Sequence, residues 1–411
     1  MAVLVVASLI VAPTVLYPFD NLSCWVPWAQ ASGGWRPWDI YRLRSDCNYP
    51  PFYPLVLTAV EGVRRLFHAP DAPLVTVWLL KAVQVAAHGG GAVAVYFGLR
   101  RPFGGKAARR AALLYAFSLA LFVNAAMWGQ ADALLTLAMT AALIALVNER
   151  PVLAGALIGW ALTIKLQAVC IAPALLVYTA RRFGWRGVLA GTAAGLGVVA
   201  LIALPFVLAG VGDRVLASYT GAAGFYHFRT LNAWNLWSAA NSVDIYWRGI
   251  PPEVANLDHR PALGRLTYQH VGTLLYAGYL LLLLVPLWRR GARRLDLLEA
   301  AALSAVAFFV LCTQMHERYI APGAALFTLV APFGLARLTY AVGFGLTAFL
   351  NQALVLYSNY LPYAQRSVEW ANQGWAMLSG PMTVANLVMF AAATATYLRP
   401  AARPVEEPPA S

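Results

Sequence analysis

"RRPFGGKAARR", residues 100–110, packs four arginines and a lysine between two apolar runs, 74–99 and 111–127. Each run is close to the ~20 residues that a helix needs to cross the hydrocarbon of a bilayer. A short basic loop between two such runs is the signature of a cytoplasmic turn. "RRFGWR" (181–186) and "RRGARR" (289–294) repeat the pattern further along the chain. These three loops decide the fold class: an all-α polytopic membrane protein.

Composition agrees. Of 411 residues, 60% are hydrophobic and 11% charged, and mean hydropathy is +0.62. A soluble domain carries roughly a quarter charged residues. The net charge of +13 would favour nucleic acid as a partner in a soluble chain. Here it is largely gathered in the turns between spans, so a nucleic-acid partner is not expected. A transmembrane barrel would show ~10-residue alternating segments, which are absent.

Anchored on the basic loops, spans fall near 1–17, 74–99, 111–127, 132–147, 152–164, 167–180, 187–210, 266–288, 295–312, 319–337, 339–357 and 376–398. That is about twelve, with both termini cytoplasmic. The first run, "MAVLVVASLIVAPTVLYPF", lacks a basic start and a cleavage site, and reads as a retained span. The pair 152–164 and 167–180 is short for two crossings and reads as a broken hairpin turning at "KLQ". Such breaks are tolerated where they line protein or a water-filled cavity. Two long loops, about 18–73 and 211–265, lie outside. Residues 50–67 of the first form an amphipathic segment expected to lie in the interface. Residues 1–398 read as a single transmembrane domain and 399–411 as a disordered cytoplasmic tail.

On this topology the unusual polar residues collect at the outer level. Asp20, Asp39 and Asp46 lie in the first loop. "WGQAD" (128–132) is an outer turn. Lys165 and Gln167 sit at the break of the hairpin, "NAWNLW" (232–237) in the second loop, and "HER" (316–318) in a later outer turn. Ionisable groups at such depth are costly and point to function. Each also has an ordinary reading: interfacial carboxylate, belt tryptophan, snorkelling lysine or local ion pair. Those readings predict scatter over both faces, not one-sided clustering. Cys24 and Cys47, both in the first loop, are candidates for a disulfide on an oxidising side. No Cys/His cluster has zinc spacing, and no P-loop or GxSxG elbow is present. The three outer aspartates could hold a divalent ion through oxygen. A metal or other cofactor is not favoured.

These residues resemble a family. "FDNLSCWVPWAQ…DCNYPPFYPLVL" is similar to the first outer loop of GT-C membrane glycosyltransferases. The resemblance is closer to bacterial mannosyltransferases related to GPI mannosyltransferase 2, and looser to glycosyltransferase family 87. The series continues in order with Trp128-Gly129-Gln130-Ala131-Asp132, Lys165-Leu166-Gln167, Asn232-Ala233-Trp234-Asn235-Leu236-Trp237 and Met315-His316-Glu317-Arg318-Tyr319. Two departures stand out: Asn48 replaces the acid before "YPP", and "KPQ" is "KLQ".

The resemblance implies an inverting transferase of the inner membrane, facing the periplasm or exterior. It would move one sugar, mannose for choice, from a polyprenyl-phosphate donor to an envelope glycolipid or glycan. Asp20 would be the general base. His316, Arg318, Tyr319 and Lys165 would hold the donor phosphate. Asp46, Tyr49, Trp128, Gln130, Asp132, Gln167, Asn232, Asn235, Trp237 and Glu317 would bind or brace sugar and acceptor. Rival readings are a lipid or lipid-linked-sugar flippase, which needs polar groups along a path across the membrane, and a silent assembly subunit.

Overall fold

The computed structural model describes residues 8, 10, 12, 17–68, 73–222, 224–360 and 365–399. Apart from the few residues within these ranges, the expected first span and the 399–411 tail lie outside them. The chain gathers into two compact units. The first comprises 1–94, 121–169 and 185–225, and the second 95–120, 170–184 and 226–411.

In the first unit the core helix is Asp132–Val147, with 13 of its 16 residues buried. It is apolar all round, as a helix enclosed by protein should be. Pro151–Ile164 packs beside it. That helix ends at Lys165, whose backbone is extended (φ −160°, ψ 134°), and a 3-10 segment, Leu166–Ile171, follows. The break at "KLQ" is therefore where the sequence placed it. The next helix, Ala172–Leu208, runs through "RRFGWR" and bends at Gly184 (φ 67°, ψ −170°). The expected basic loop is a bend within a helix.

The arm of that helix after Gly184 meets Pro151–Ile164 at facing glycines. Gly155 and Gly159 stand against Gly191 and Gly195. A Cβ at Gly155 or Gly159 would overlap the facing glycine's carbonyl oxygen. Each helix thus carries a small-xxx-small stripe that lets backbones touch, the main source of helix adhesion where lipid removes the hydrophobic drive. The long first loop folds into short helices, Val26–Ala31, Pro37–Leu43 and Phe52–Leu66. The last is the amphipathic segment. It buries Tyr53, Leu57, Val60 and Glu61 and exposes Val63 and Leu66.

In the second unit Arg294–Leu311 has 14 of 18 residues buried, and all ten residues of Ala321–Val330 are buried. Around them run Tyr268–Arg289, Leu335–Tyr360 and Gln365–Leu398. Tyr268–Arg289 turns Leu274, Leu275, Leu281, Leu282 and Val285 outward, a greasy surface suited to lipid rather than water.

Five described helices are long and apolar enough to cross a membrane, or six if the bent pair Gly105–Ala116 and Leu119–Trp128 counts as one span. Asp132–Val147, Pro151–Ile164 and Ala321–Phe333 are apolar but shorter. The expected count of about twelve depends on such helices. Length is a weak guide to them because a helix enclosed by protein need not match the bilayer.

Candidate functional site

The first cluster lies in the first unit. Residues Val123–Trp128 form a π-helical turn, which Gly129 closes in the left-handed region at φ 80°. The carbonyl of Asn124 accepts from the N–H groups of both Gly129 and Gln130, each at 2.9 Å. A Cβ on Gly129 would sit 2.7 Å from Cγ of Lys81, so both φ and space require glycine. This turn aims two side chains at one carboxylate. Trp128 Nε1 donates to Asp20 Oδ2 at 2.9 Å, and Gln130 Nε2 donates to the same oxygen at 2.6 Å. Tyr49 donates to Gln130 Oε1 at 3.4 Å, and Asn21 holds the Trp128 carbonyl at 3.2 Å. Among the described residues no donor reaches Asp20 Oδ1. The partly exposed Asp20 is thus oriented through Oδ2 alone.

Asp132 is different. It is fully buried, with Oδ1 bound by Lys165 Nζ at 2.5 Å and Oδ2 by Asn124 Nδ2 at 3.0 Å. It opens the Asp132–Val147 helix, where the dipole favours a negative charge. Asp132 and Lys165 thus brace the turn. The expected use of Lys165 on phosphate competes with this ion pair. Gln167 is buried on the 3-10 segment.

The other outer aspartates do not join Asp20. Asp46 accepts from Arg44 through both oxygens at 2.9 Å and from Trp28 Nε1 at 3.1 Å. The Arg44 hydrogen bonds, against a smaller effect of burial, hold its carboxyl below the usual range. Asp39 pairs with Arg42. The three therefore form no oxygen cage for a cation. Cys24 and Cys47 are free thiols, so the expected bridge is not formed in this structure. Burial first, then Asp20 and Asp46, push Cys24 up to about 11, and burial pushes Cys47 up to about 12. Neither is an activated thiolate.

The second cluster lies in the second unit. Met315–His316 pairs in parallel with Thr230–Leu231, and Asn232 forms a bridge to His316. This short ladder ties "NAWNLW" to "HER". Its two flanks, Asn232 (φ 61°) and Gln314 (φ 63°), are non-glycine residues in the left-handed region, a strain often kept at functional sites. Arg318 Nη1 donates to Glu317 Oε1 at 2.8 Å and lies 3.2 Å from His316 Nδ1. Its guanidinium stands 5.6 Å from the centre of the Tyr319 ring, and His316 is set between the rings of Tyr226 and Tyr319. Burial alone would raise the Glu317 carboxyl. Arg318, then His316, outweigh it and hold Glu317 at about 2. The turn is a preorganised cationic fork with a built-in counter-charge.

Asn235 and Trp237 spend their polar atoms on the chain. Asn235 caps the Leu236–Tyr246 helix, accepting from the Trp237 and Ser238 N–H groups at 3.1 Å each, and donates to the Phe309 carbonyl at 3.1 Å. Trp237 Nε1 donates to the Leu311 carbonyl at 2.9 Å. They fasten the second outer loop to the end of Arg294–Leu311. The sugar contact expected of them is not available to these atoms as placed. Asn232 is exposed and keeps that possibility.

Two features stand outside the motifs legible in the sequence. Lys81, Gln84 and His88 form a buried polar face at i, i+3 and i+7 on Pro73–Phe103. Lys81 donates to the Ala12 carbonyl at 2.7 Å, and Gln84 Oε1 accepts from the Leu134 N–H at 3.2 Å, capping the core helix. Their spacing was the available signal. The second is Arg229, fully buried, bound to Asp244 at 2.7 Å and stacked 3.4 Å over Tyr268. It organises the second loop, and only the fold reveals its partners.

The predominantly helical fold has counterparts among solved structures and known families. ArnT from Cupriavidus metallidurans bound to undecaprenyl phosphate is similar in fold, with a TM-score of 0.50, 16% identity, and coverage of 97% of this chain and 75% of that one. The sequence model of glycosyltransferase family 87 matches residues 48–313, and the chain belongs to that family. It is a glycosyltransferase with multiple membrane spans. The apo oligosaccharyltransferase of Archaeoglobus fulgidus is also similar, at 14% identity and a TM-score of 0.42, over 96% of this chain and 56% of that one. No curated protein sequence matches.

Proposed function

We propose that this glycosyltransferase moves a single sugar from a polyprenyl-phosphate donor to an envelope glycolipid or glycan, with inversion at the anomeric carbon. The acceptor hydroxyl gives its proton to Asp20 Oδ1. Its oxygen bonds to C1 as the bond from C1 to the phosphate oxygen breaks, and polyprenyl phosphate leaves. The half-tethered Asp20 carboxylate carries this reading: two donors fix its plane through Oδ2 while Oδ1 accepts from no described residue. A base must be placed before it is basic enough to matter.

Arg318 and His316 meet the growing charge on the leaving phosphate, the strongest use of a preorganised guanidinium. Glu317 keeps Arg318 in place between turnovers. Tyr49, Gln130 and Asn232 are the sugar or acceptor contacts of choice, and Asp132, Lys165, Gln167 and Trp128 support them. A lipid-linked donor is supported by the fold neighbour crystallised with undecaprenyl phosphate. Mannose rests on the resemblance of the "WGQAD" and "MHERY" series to mannosyltransferases. The basic turns orient the protein in the inner membrane with both termini cytoplasmic and the chemistry outside.

The test is sugar transfer in reconstituted protein, offering a panel of polyprenyl-phosphate sugars labelled in the sugar and an envelope-lipid extract as acceptor. Transfer from one donor, lost in Asp20→Asn, is expected. Binding of polyprenyl phosphate with no transfer from any donor would move the assignment to lipid transport.

A further inference from the structure

No Cys/His cluster in the sequence has zinc spacing, yet the fold builds a donor set from distant positions. In the second outer loop His227, Asp258 and His259 bring one ligand atom each to within 4.8 Å of one another. The backbone holds them there. Phe228 and Leu257 form an antiparallel bridge, the Asp258 N–H donates to the His227 carbonyl at 3.3 Å, and the Gln269 N–H donates to the Asp258 carbonyl at 3.1 Å.

We propose that these three residues form a site for a borderline divalent transition cation, zinc by preference, with water in the fourth position. Two imidazoles and one carboxylate are the ligand chemistry of zinc, not of calcium or magnesium. Bonds of ~2.1 Å at tetrahedral angles place ligand atoms ~3.4 Å apart. Both histidines are exposed and Asp258 is buried, so closure from 4.8 Å needs only rotation of two surface rings about a fixed carboxylate.

Asp258 supplies an independent reason. It is 1% exposed, and its only ion-pair partner among the described residues is His259 at 3.9 Å. A buried carboxylate needs an opposite charge. Gln314 Nε2 donates to its Oδ2 at 2.7 Å, leaving Oδ1 toward His259. An outer hydrogen bond that orients a ligating carboxylate is a regular part of metal sites. Gln314 precedes Met315–His316, so the cation would fasten the second loop to the root of the cationic turn. This site stands apart from the transfer chemistry and does not depend on it.

The experiment uses the full chain in detergent, purified on a tag without histidine, stripped with chelator and dialysed against a twofold excess of zinc. Metal per chain is counted by atomic emission, and cobalt(II) is substituted to read its ligand-field bands. Wild type is expected to hold one equivalent more than His227→Gln/His259→Gln and to show four-coordinate cobalt bands that the variant lacks. In chelator the two proteins should melt together, because both rings are on the surface. Equal zinc content in the two, or no zinc in either, would overturn the site and leave a plain Asp258–His259 pair.

Discussion

Asp20 and Asp132, far apart in sequence but both held at the Trp128–Asp132 turn, show how two carboxylates divide their labour. Asp132 has both oxygens filled, by Lys165 and Asn124, and Asp20 has one. Asp20→Asn keeps an oxygen for Trp128 and Gln130 but cannot take a proton. It should lower turnover by ~10²–10⁴-fold with folding and donor affinity retained; an assay at saturating donor reads the first, and polyprenyl-phosphate binding the second. Glu317 makes a pH prediction. Its folded value of about 2 lies below its ordinary 4.5, so its contribution to stability is complete above ~4.5 and is lost as pH falls toward ~2. Removing one member of a buried pair costs about 3–5 kcal/mol. Glu317→Gln should therefore melt below wild type at neutral pH, and the gap in thermal midpoint should close on acidification from 4.5 downward. A gap that stays constant to pH 3 would show that the Arg318 pairing is not its source. Both motifs were legible in the sequence because acids and guanidinium groups stand out in an apolar chain. That Asn235 and Trp237 serve the backbone was not legible, because the carbonyls of Phe309 and Leu311 that they hold lie more than 70 residues away.

Among the elements, Pro151–Ile164 and the arm of Ala172–Leu208 after Gly184 meet backbone to backbone. Gly155 faces backbone, which no rotamer change can move, whereas Gly197 on the same arm faces open space. Alanine is the better helix former by about 1 kcal/mol, so the two sites should respond with opposite sign. Gly155→Ala should lower the melting temperature in detergent or prevent assembly, and Gly197→Ala should leave it unchanged or raise it. Equal behaviour at the two positions would mean that the helices do not touch as described. The broken hairpin at "KLQ" could be read from the sequence, since two apolar runs too short to cross lay between polar turns. The glycine stripe is written there too, as G-x-x-x-G at 155–159 and again at 191–195, but its meaning depends on which helix it faces. The bend at Gly184 is not legible as such in the sequence, because basic residues mark a membrane boundary equally well whether the chain there is helical or not.

At the scale of the whole molecule, the basic turns carry the expected orientation, and hydropathy alone does not fix the number of spans. Buried helices such as Arg294–Leu311 and Ala321–Val330 obey packing rather than bilayer thickness, so their lengths carry little topological signal. Loop charge does, because translocating arginine is costly whatever the helix length. Within the second unit this gives a direct test. Lys106 lies in the basic turn 100–110, and Arg265 in the outer loop beside the strands Pro261–Leu263 and Leu266–Thr267. In a background lacking the four native cysteines, a single cysteine at 265 should react with an impermeant maleimide in intact spheroplasts. One at 106 should react only after the membrane is opened. Both positions are exposed, so a difference in labelling reports sidedness, not burial. The reverse pattern would turn the cationic His316–Arg318 turn, which begins five residues past Arg294–Leu311, toward the cytoplasm. A nucleotide-linked sugar would then replace the lipid-linked donor as the substrate to try first.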